Sequence, residues 1–339
     1  MTMTMMMGVH CLHLTQKLNN TLSRFDSTAN TRFRRNLPSV IYNDQKLSKS
    51  SFVCGNIYRV VSALVSEDQA AETSSFRNDS FKLTYLEANG WLWEVGGVKI
   101  LVDPVLVGSL DLGHRLIYSA SNKYLKNFQL TDLPEIDCLL ITQYVSDHCH
   151  VKTLRPLSQM LPNLKVIAPP NAKPLLDPIF SNVIYLEPGQ TSEIESNNSS
   201  TVKIRAITGP VIVPWQRPEN AYIVTSPQRQ LSLYYEGHCL YDKEIVGKER
   251  ADIVITTVVK QFIPGYTFTS GQEDAVELAK LLNSKYVVPL KNGELDSKGV
   301  LASLLKSDGT IELFKELLSK ELPDVKTLEP IPGVPFHIP

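Results

Sequence analysis

The sequence contains no uninterrupted apolar run that approaches the roughly 18 residues needed for a membrane-spanning helix. It also lacks the GxGxxG and P-loop motifs of nucleotide-binding proteins and the GxSxG motif of serine hydrolases. The composition, with 43% hydrophobic and 20% charged residues, is that of an ordinary globular chain. These absences leave a globular protein without a membrane span and without the signatures of nucleotide or serine-nucleophile chemistry.

Cysteine is scarce, and its arrangement is not that of a disulfide framework. There are five cysteines, an odd number, and no two of them form a CxxC pair. A chain of 339 residues can bury a large enough core to be stable without disulfides. We therefore expect free thiols and a reducing compartment.

Net charge is small but unevenly distributed. The chain has 34 Lys and Arg against 35 Asp and Glu, for a formal charge of -1. Residues 1–62 contain eight basic and two acidic residues, so this leader carries +6 and the remainder carries -7. An acidic body gives no electrostatic reason to bind nucleic acid, and we expect no nucleic-acid partner.

The leader has the composition of an organellar transit peptide. Residues 1–62 are basic, poor in acidic residues and rich in Ser, Thr and Asn, with no continuous apolar core. The absence of an Arg-rich amphipathic helix at the start favours the chloroplast stroma over the mitochondrion. We predict a plastid transit peptide at 1–62, a flexible linker at 63–80 and one folded domain at 81–339.

The folded part alternates strand-like and helix-like segments. Short apolar runs bounded by turn residues predict strands, and the Gly96-Gly97 pair between two of them is typical of a hairpin. A meander followed by alternating strands and helices indicates an α/β domain with mixed sheets. The predicted strands are 82–87, 91–95, 99–102, 137–142, 165–168, 202–207, 220–226, 232–235, 252–258 and 286–289. The predicted helices are 151–160, 271–283 and 311–322, and 190–200 is predicted as a loop.

One segment contains several residues that could bind a metal or take part in catalysis. Thr142–His150 reads TQYVSDHCH and directly follows a predicted buried strand. It resembles the metal-binding signature of the metallo-β-lactamase fold, in which a buried strand ends in Thr-His-x-His-x-Asp-His. Segments 82–104, 233–241 and 266–293 are similar, in order, to the family's opening meander, its Gly-Asp-Thr strand and the closing element of its lactonase-like branch. The resemblance implies a four-layer αββα sandwich.

The resemblance also shows that several of the family's metal ligands are missing here. The family clusters His and Asp residues to hold two divalent ions that share a hydroxide. Gln143 and Val145 stand where its first His pair belongs, and Lys291 replaces its last His. The strand end at 208–210 offers no His either. The resemblance therefore implies that the first metal site is lost.

Two interpretations of the remaining cleft stay open. In the first, Asp147, His148 and His238 hold a single divalent transition metal, Zn²⁺, Fe²⁺ or Mn²⁺, and Asp147 and His148 are the catalytic residues. In the second, the Lys291 ammonium takes the place of the metal and pairs with Asp147, so that the cleft contains no metal. A protonated lysine cannot ligate a metal ion.

Further residues are assigned to ligand binding. Gln143 and Lys291 would line the cleft, and Lys291 would suit a small anionic molecule. Trp215 belongs to a polar and aromatic loop that is either at the cleft or simply on the surface. In the family, the residue at the position of Asp103 orients the metal loop by hydrogen bonds, with or without a metal.

Two cysteines stand next to candidate site histidines. Cys149 follows His148 and Cys239 follows His238, so that a Cys–His nucleophile is conceivable. The alternative is that both thiols are small apolar fillers near a buried loop.

Two functions follow from these interpretations. The first is a plastid hydrolase with at most one metal, acting on a lactone, an ester or a phosphoester. The second is a catalytically inactive family member that binds a small anion or a protein partner. Loss of ligands favours the second function, whereas the surviving polar cluster favours the first.

Overall fold

The computed structural model describes residues 81–112, 114–195, 201–211, 216–226, 231–291 and 293–338. The predicted transit peptide and linker lie outside these ranges, and so does Trp215. Their bounds and roles therefore stay predictions.

Strands form from short apolar stretches between turns, and the longer helices form where apolar residues recur at helical spacing. The strands are β1 (Phe81–Tyr85), β2 (Trp91–Val95), β3 (Val98–Val102), β4 (Leu110–Asp111), β5 (Ser119–Ser121), β6 (Cys138–Leu140), β7 (Lys165–Ala168), β8 (Val183–Tyr185), β9 (Thr191–Glu195), β10 (Thr201–Thr208), β11 (Asn220–Thr225), β12 (Ser232–Tyr235), β13 (Ile253–Thr257), β14 (Lys260–Ile263), β15 (Tyr266–Thr269), β16 (Tyr286–Leu290), β17 (Asp296–Lys298), β18 (Lys306–Asp308), β19 (Lys326–Thr327) and β20 (Phe336–Ile338). The α-helices are α1 (Val151–Met160), α2 (Lys173–Leu176), α3 (Lys243–Val246), α4 (Gln272–Leu282), α5 (Val300–Leu304) and α6 (Ile311–Glu321). Within the described ranges, none of these helices combines the length and the apolar character needed to cross a bilayer.

The described part of the chain begins with an antiparallel meander of β1, β2 and β3. The turn between β2 and β3 is the predicted glycine pair, in which Gly96 and Gly97 have φ angles of 55° and 83°, as a two-residue hairpin turn of this kind requires. β1 ends at Tyr85, two residues before its predicted end, because Glu87 and Ala88 adopt left-handed backbone conformations. The hairpin prediction is confirmed, and the predicted end of the first strand is wrong.

The strands assemble into two large mixed sheets. The first has the order β20-β1-β2-β3-β6-β7-β8, and the second has the order β19-β16-β13-β12-β11-β10-β9. The pairs from β3 through β6 and β7 to β8 are parallel, as are the pairs from β12 through β13 and β16 to β19. Parallel neighbours need crossover connections, and α1 and α4 lie in two of them.

The two large sheets pack face to face around one apolar core. Trp93 of the first sheet and Tyr222 of the second are fully buried members of that core. On the outer face of the first sheet, Leu154 of α1 is buried, and on the outer face of the second sheet, Leu278 of α4 and Phe314 of α6 are buried. The order of layers is helix, sheet, sheet, helix, which confirms the predicted αββα sandwich.

Two small sheets flank this sandwich, and the sequence pattern does not predict them. One has the order β17-β5-β4 and the other β15-β14-β18. Their strands have two to four residues, which is too short for a periodic pattern to show. The loop prediction for 190–200 is also wrong at β9, because Ile194 is buried opposite Val202 of β10.

Candidate functional site

The candidate site begins where β3 and β6 end. These strands are parallel neighbours, so the residues that follow them meet at one edge of the sheet. Asp103 follows β3, and its carboxylate accepts hydrogen bonds from the Thr142 backbone N–H, at 2.8 Å, and from the Thr142 hydroxyl. Asp103 is itself fully buried. The Asp103 carboxylate therefore fixes the start of the loop that carries the candidate ligands.

The same carboxylate holds His148. His148 Nδ1 lies 2.7 Å from Asp103 Oδ2, and the His148 side chain is fully buried. The backbone around it is a tight turn in which the N–H groups of His148 and Cys149 both donate to the carbonyl of Val145. A carboxylate on Nδ1 fixes the orientation of the ring and directs Nε2 toward the cleft.

Three predicted ligands come together at this point. The distances are 3.5 Å from Asp147 Oδ2 to His148 Nε2, 3.3 Å from Asp147 Oδ2 to His238 Nε2, and 3.4 Å between the two Nε2 atoms. The three donor atoms therefore form a nearly equilateral triangle. Among the described residues, these three side chains form the group that could hold a metal ion.

Glu236 positions His238, and the sequence analysis does not identify it. Glu236 is fully buried after β12, and its carboxylate accepts hydrogen bonds from the backbone N–H groups of His238, at 3.0 Å, and Leu240, at 2.8 Å. Burial raises the pKa of Glu236, although these hydrogen bonds and the nearby histidines oppose the shift. An acidic residue at the end of the apolar run LYY is the signal that could have identified it.

Gln143 lies inside the site, beside His238. Its Nε2 is 3.1 Å from Glu236 Oε1 and 3.1 Å from His238 Nδ1. Gln143 is fully buried, and its Oε1 makes no hydrogen bond to any described residue. The amide thus links the imidazole of His238 to the Glu236 carboxylate, at the place where the family resemblance puts a metal-ligating histidine.

Asn89 is a second site residue that the sequence analysis misses. It lies between β1 and β2, and its Nδ2 is 3.2 Å from Asp147 Oδ2, 3.2 Å from the Asp147 carbonyl oxygen and 3.0 Å from His148 Nε2. A polar residue before Gly90 in an otherwise apolar meander is a weak signal for it. Asn89 connects the opening meander to two candidate ligands.

The charges in the cluster reinforce one another. Burial alone would lower the pKa of His148, but Asp103 and Asp147 outweigh burial and raise it to about 9. Burial likewise opposes ionisation of Asp147, yet His148 and His238 hold the pKa of that carboxyl well below its ordinary value. At neutral pH the site therefore pairs the Asp147 carboxylate with a protonated His148, and a metal ion would bind there by displacing the proton from His148 Nε2.

Lys291 does not occupy the place of a metal. It follows β16, and its Nζ lies 2.6 Å from Glu329 Oε1 in a pair that is partly exposed. The expected ion pair between Lys291 and Asp147 does not form, because Lys291 pairs with Glu329 and the Asp147 carboxylate lies beside His148 and His238. The predicted Lys291–Asp147 pair is therefore wrong, whereas the absence of a metal from the cleft and a ligand-binding role for Lys291 stay predictions.

The two cysteines beside the histidines are buried in apolar surroundings. Cys149 and Cys239 are almost fully buried, and burial raises the pKa of the Cys149 thiol to about 12 and that of Cys239 further still. A thiol is a poor nucleophile until it ionises. Both residues therefore fit the filler interpretation rather than a Cys–His nucleophile.

A cavity of about 270 Å³ opens beside the triangle. Asp147, His238 and Asn89 lie in its wall, together with many apolar side chains. The small sheets supply part of that wall, with Leu110 from β4 and Phe268 from β15. The sequence pattern misses these short strands and therefore misses this part of the site.

Comparison with known families gives a match over most of the described chain. The model described as a beta-lactamase superfamily domain matches residues 82–291. That span contains Asp103, Asp147, His148 and His238. A search of curated proteins finds no match.

Solved structures with the same fold come from several organisms. Igni18, a metallo hydrolase from the archaeon Ignicoccus hospitalis KIN4/I, shares 16% identity over 77% of this chain and 99% of its own, with a TM-score of 0.55. CmlA, a diiron beta-hydroxylase from Streptomyces venezuelae, shares 18% identity over 77% of this chain and 54% of its own, also at 0.55. The metallo-beta-lactamase fold protein YhfI from Bacillus subtilis shares 13% identity over 77% of this chain and 100% of its own, at 0.51. At these identities the likeness shows the fold alone.

Proposed function

Since this chain belongs to the beta-lactamase superfamily, we propose that it is a hydrolase that holds one divalent transition metal on Asp147, His148 and His238. Two comparisons support a hydrolase-like fold independently of this proposal. The chain matches the family model, and it shares its architecture with a metallo hydrolase. The single metal, the substrate and the cellular location are the parts that we propose.

The spacing of the three donor atoms carries this proposal. Metal–ligand bonds of 2.0–2.1 Å in a tetrahedral site place neighbouring ligand atoms about 3.3 Å apart. The observed separations of 3.3, 3.4 and 3.5 Å match that value on all three edges. Two imidazole nitrogens and one carboxylate oxygen are also a donor set that Zn²⁺, Fe²⁺ and Mn²⁺ accept.

The surroundings of His148 also fit a role as a metal ligand. A metal-ligating histidine almost always donates its other N–H to a carboxylate or carbonyl oxygen. His148 has the Asp103 carboxylate at 2.7 Å from Nδ1, which leaves Nε2 as the donor atom toward Asp147 and His238.

One metal is proposed rather than two because residues of the other site cannot serve it. Val145 has no ligating atom, and the Gln143 amide is engaged with Glu236 and His238. A diiron enzyme, CmlA, has the same fold, so the fold itself can accommodate two metal ions. A single metal in this chain would therefore result from its own residues at the other site.

A metal held by these three residues would supply Lewis acidity and would lower the pKa of water that it binds. The residues of the chain would do the remaining work. Asp147 stays ionised and reaches the cavity, Asn89 donates a hydrogen bond to the Asp147 carboxylate, and Asp103 holds a proton on His148 Nδ1. The substrate proposed for such a site is an ester or a lactone.

Metal analysis of the purified full-length chain tests the proposal. Wild type prepared without chelator should contain about one transition metal per chain, and His238→Gln and Asp147→Asn should contain less than about a tenth. His114→Ala is the matched control, because His114 is an exposed histidine outside the triangle and its loss should leave the content unchanged. A metal-poor wild type whose melting temperature does not rise with added Zn²⁺ or Mn²⁺ would overturn the proposal.

The alternative function is a family member that binds a ligand without turnover. Replacement of the first His pair by Gln143 and Val145 favours it, since those positions carry ligands in the resemblance described above. This alternative predicts ligand binding by a chain that lacks both metal and hydrolytic activity, so metal analysis and ester assays together separate the two functions.

We also propose that residues 1–62 direct the chain to the chloroplast stroma. The composition of the leader supports this, with eight basic and two acidic residues and no continuous apolar core. A fluorescent protein fused after residue 65 should accumulate in plastids. A fusion that stays in the cytosol would contradict a targeting role for residues 1–62. A fusion found in mitochondria would show that these residues target the mitochondrion and not the chloroplast.

A further inference from the structure

The cavity beside the triangle is built mainly from apolar side chains. Leu110, Leu112 and Tyr118 come from the region of β4 and β5, and Tyr266 and Phe268 come from β15. Two members of the triangle, Asp147 and His238, form the polar end of the cavity. The cavity therefore has a reactive end and an apolar body.

No lysine or arginine is among the described residues that line this cavity. Asp147 supplies the negative charge in the wall, and Lys291, the residue predicted to bind an anionic ligand, is paired with Glu329. A negative group placed away from the triangle would lose its hydration without gaining a partner, which is costly. The cavity thus disfavours a substrate with an anionic body, in contrast to the anionic ligand expected from the sequence.

Aromatic side chains shape the apolar body. Tyr266 and Phe268 lie two residues apart on β15 and contact each other edge to face, with ring centroids 4.8 Å apart. Tyr266 keeps 45% of its surface exposed, although it is a large aromatic residue beside a cavity. Exposed aromatic rings of this kind provide a packing surface for a ring or an alkyl chain.

The volume limits the size of the ligand. An apolar cavity of about 150 Å³ holds one benzene ring. The cavity here, at about 270 Å³, has room for one ring together with a short chain. It is slightly smaller than the roughly 300–1,000 Å³ of typical small-molecule sites.

We infer that this site takes a neutral ester or lactone whose apolar body, about one ring or a short alkyl chain, lies against Tyr118, Tyr266 and Phe268. This inference rests on the proposed hydrolytic function, since it names the substrate class of the same centre. In the reaction, the oxygen of water bonds to the carbonyl carbon, the carbonyl carbon–alkoxy oxygen bond breaks, and the alkoxy oxygen takes up a proton. The attacking water supplies that proton, so an ester gives a carboxylic acid and an alcohol, and a lactone gives a single hydroxy acid.

Matched methyl esters test the substrate class. Methyl pentanoate and monomethyl succinate have nearly the same shape, but the second carries a carboxylate, and methyl phenylacetate adds a ring. The metal-loaded full-length chain should cleave methyl phenylacetate and methyl pentanoate with kcat/KM at least about tenfold above that for monomethyl succinate. Equal or faster cleavage of monomethyl succinate would overturn the inference and leave the proposed hydrolase intact.

A pair of variants locates the apolar contact. Phe268→Ala should lower kcat/KM for methyl phenylacetate by about tenfold, mainly through KM, and should change the value for methyl acetate little. Phe262→Ala is the matched control, because Phe262 lies on the adjacent strand β14 and is not among the described residues that line the cavity. If both variants behave alike, the ring-binding role of Phe268 is wrong.

Calorimetric titration separates failure of this inference from failure of the proposed function. Phenylacetamide and succinamate are uncleaved neutral and anionic probes of the same size class. If no ester is cleaved but phenylacetamide binds and succinamate does not, the hydrolase proposal fails and the apolar site stands. If neither probe binds and no ester is cleaved, both fail.

Discussion

The Asp103 carboxylate, which is not one of the three candidate metal ligands, sets the orientation of His148. Asp103 accepts from the Thr142 backbone and hydroxyl and lies 2.7 Å from His148 Nδ1, so one side chain connects β3, the metal loop and the imidazole. Its φ of 40° is unusual for a residue other than glycine. A non-glycine residue kept in this conformation next to a site is consistent with a functional requirement on its position.

Replacement of Asp103 should therefore weaken the metal site without removing a ligand. Asp103→Asn loses the charge that fixes the proton on His148 Nδ1, and we expect metal affinity to fall by about 10- to 100-fold. Chelator competition measures the dissociation constant. Asp111→Asn is the control, because Asp111 pairs with Lys152 away from the triangle. An unchanged dissociation constant in Asp103→Asn would show that the carboxylate has no role in metal binding.

Thiol reactivity tests the role assigned to the buried cysteines. Cys138, Cys149 and Cys239 are all buried, and burial raises the pKa of the Cys138 and Cys149 thiols to about 12. In a Cys11→Ser, Cys54→Ser double variant, these three thiols should stay unmodified by a disulfide reagent until the chain is denatured. Rapid labelling of Cys149 or Cys239 in the native chain would instead support a reactive cysteine beside the histidines.

At the scale of elements, the turn after β12 has to approach the metal loop closely. A Cβ atom on Gly237 would lie 2.6 Å from His148 Cε1, and His148 is too tightly held to move away. Glycine at this position is therefore required by space rather than by a positive φ. The family resemblance places a glycine in the corresponding Gly-Asp-Thr turn, which agrees with this packing.

The variant Gly237→Ala should consequently disturb the site through packing alone. We expect a loss of about 1–3 kcal/mol in the free energy of unfolding, together with weaker metal binding. Gly265→Ala is the comparison, because a Cβ there meets nothing within 4 Å and only the backbone conformation is strained. Chemical denaturation and metal titration measure both effects. Normal metal affinity in Gly237→Ala would contradict the close approach.

Glu219 links the metal loop to β11 and titrates in an accessible range. Its carboxylate accepts hydrogen bonds from the Tyr144 backbone N–H and the Asn171 amide. Burial raises its pKa to about 7 from an ordinary value of 4.5, although the hydrogen bonds oppose the shift. The folded chain therefore binds the proton more tightly than the unfolded chain does.

The free energy of unfolding should accordingly fall as pH rises from about 4.5 to about 7, because the unfolded state releases this proton first. The contribution is on the order of 3 kcal/mol. The difference in unfolding free energy between wild type and Glu219→Gln, measured by urea denaturation across this range, isolates it from other titrating groups. A difference that does not vary with pH would contradict the raised pKa.

On the scale of the whole molecule, the sequence predicts the sandwich well and the rim of the site poorly. α1 and β7 lie where the pattern predicts them, because long amphipathic or buried segments have a clear period. β4 and β15 are too short for a period, yet they supply much of the cavity wall. The apolar character of the site therefore could not be predicted from segment patterns.

The candidate ligands could be predicted, but their surroundings could not. Asp147, His148 and His238 are identified by resemblance to a known motif and meet in the fold. Glu236 and Asn89 belong to no such motif, and their roles depend on distances between segments far apart in the chain. The expected pair of Lys291 with Asp147 was wrong for the same reason, since Glu329 lies 38 residues further on and competes for the ammonium.

Crystallography with anomalous scattering at the metal absorption edge tests the central claim most directly. A crystal of the full-length chain grown with the metal present should show one anomalous peak, about 2.0–2.2 Å from Asp147 Oδ2, His148 Nε2 and His238 Nε2. Energy scans across the Mn, Fe and Zn edges would identify the element. No peak at the triangle in a metal-supplemented crystal, or two peaks as in a dinuclear centre, would contradict a single metal held by these three residues.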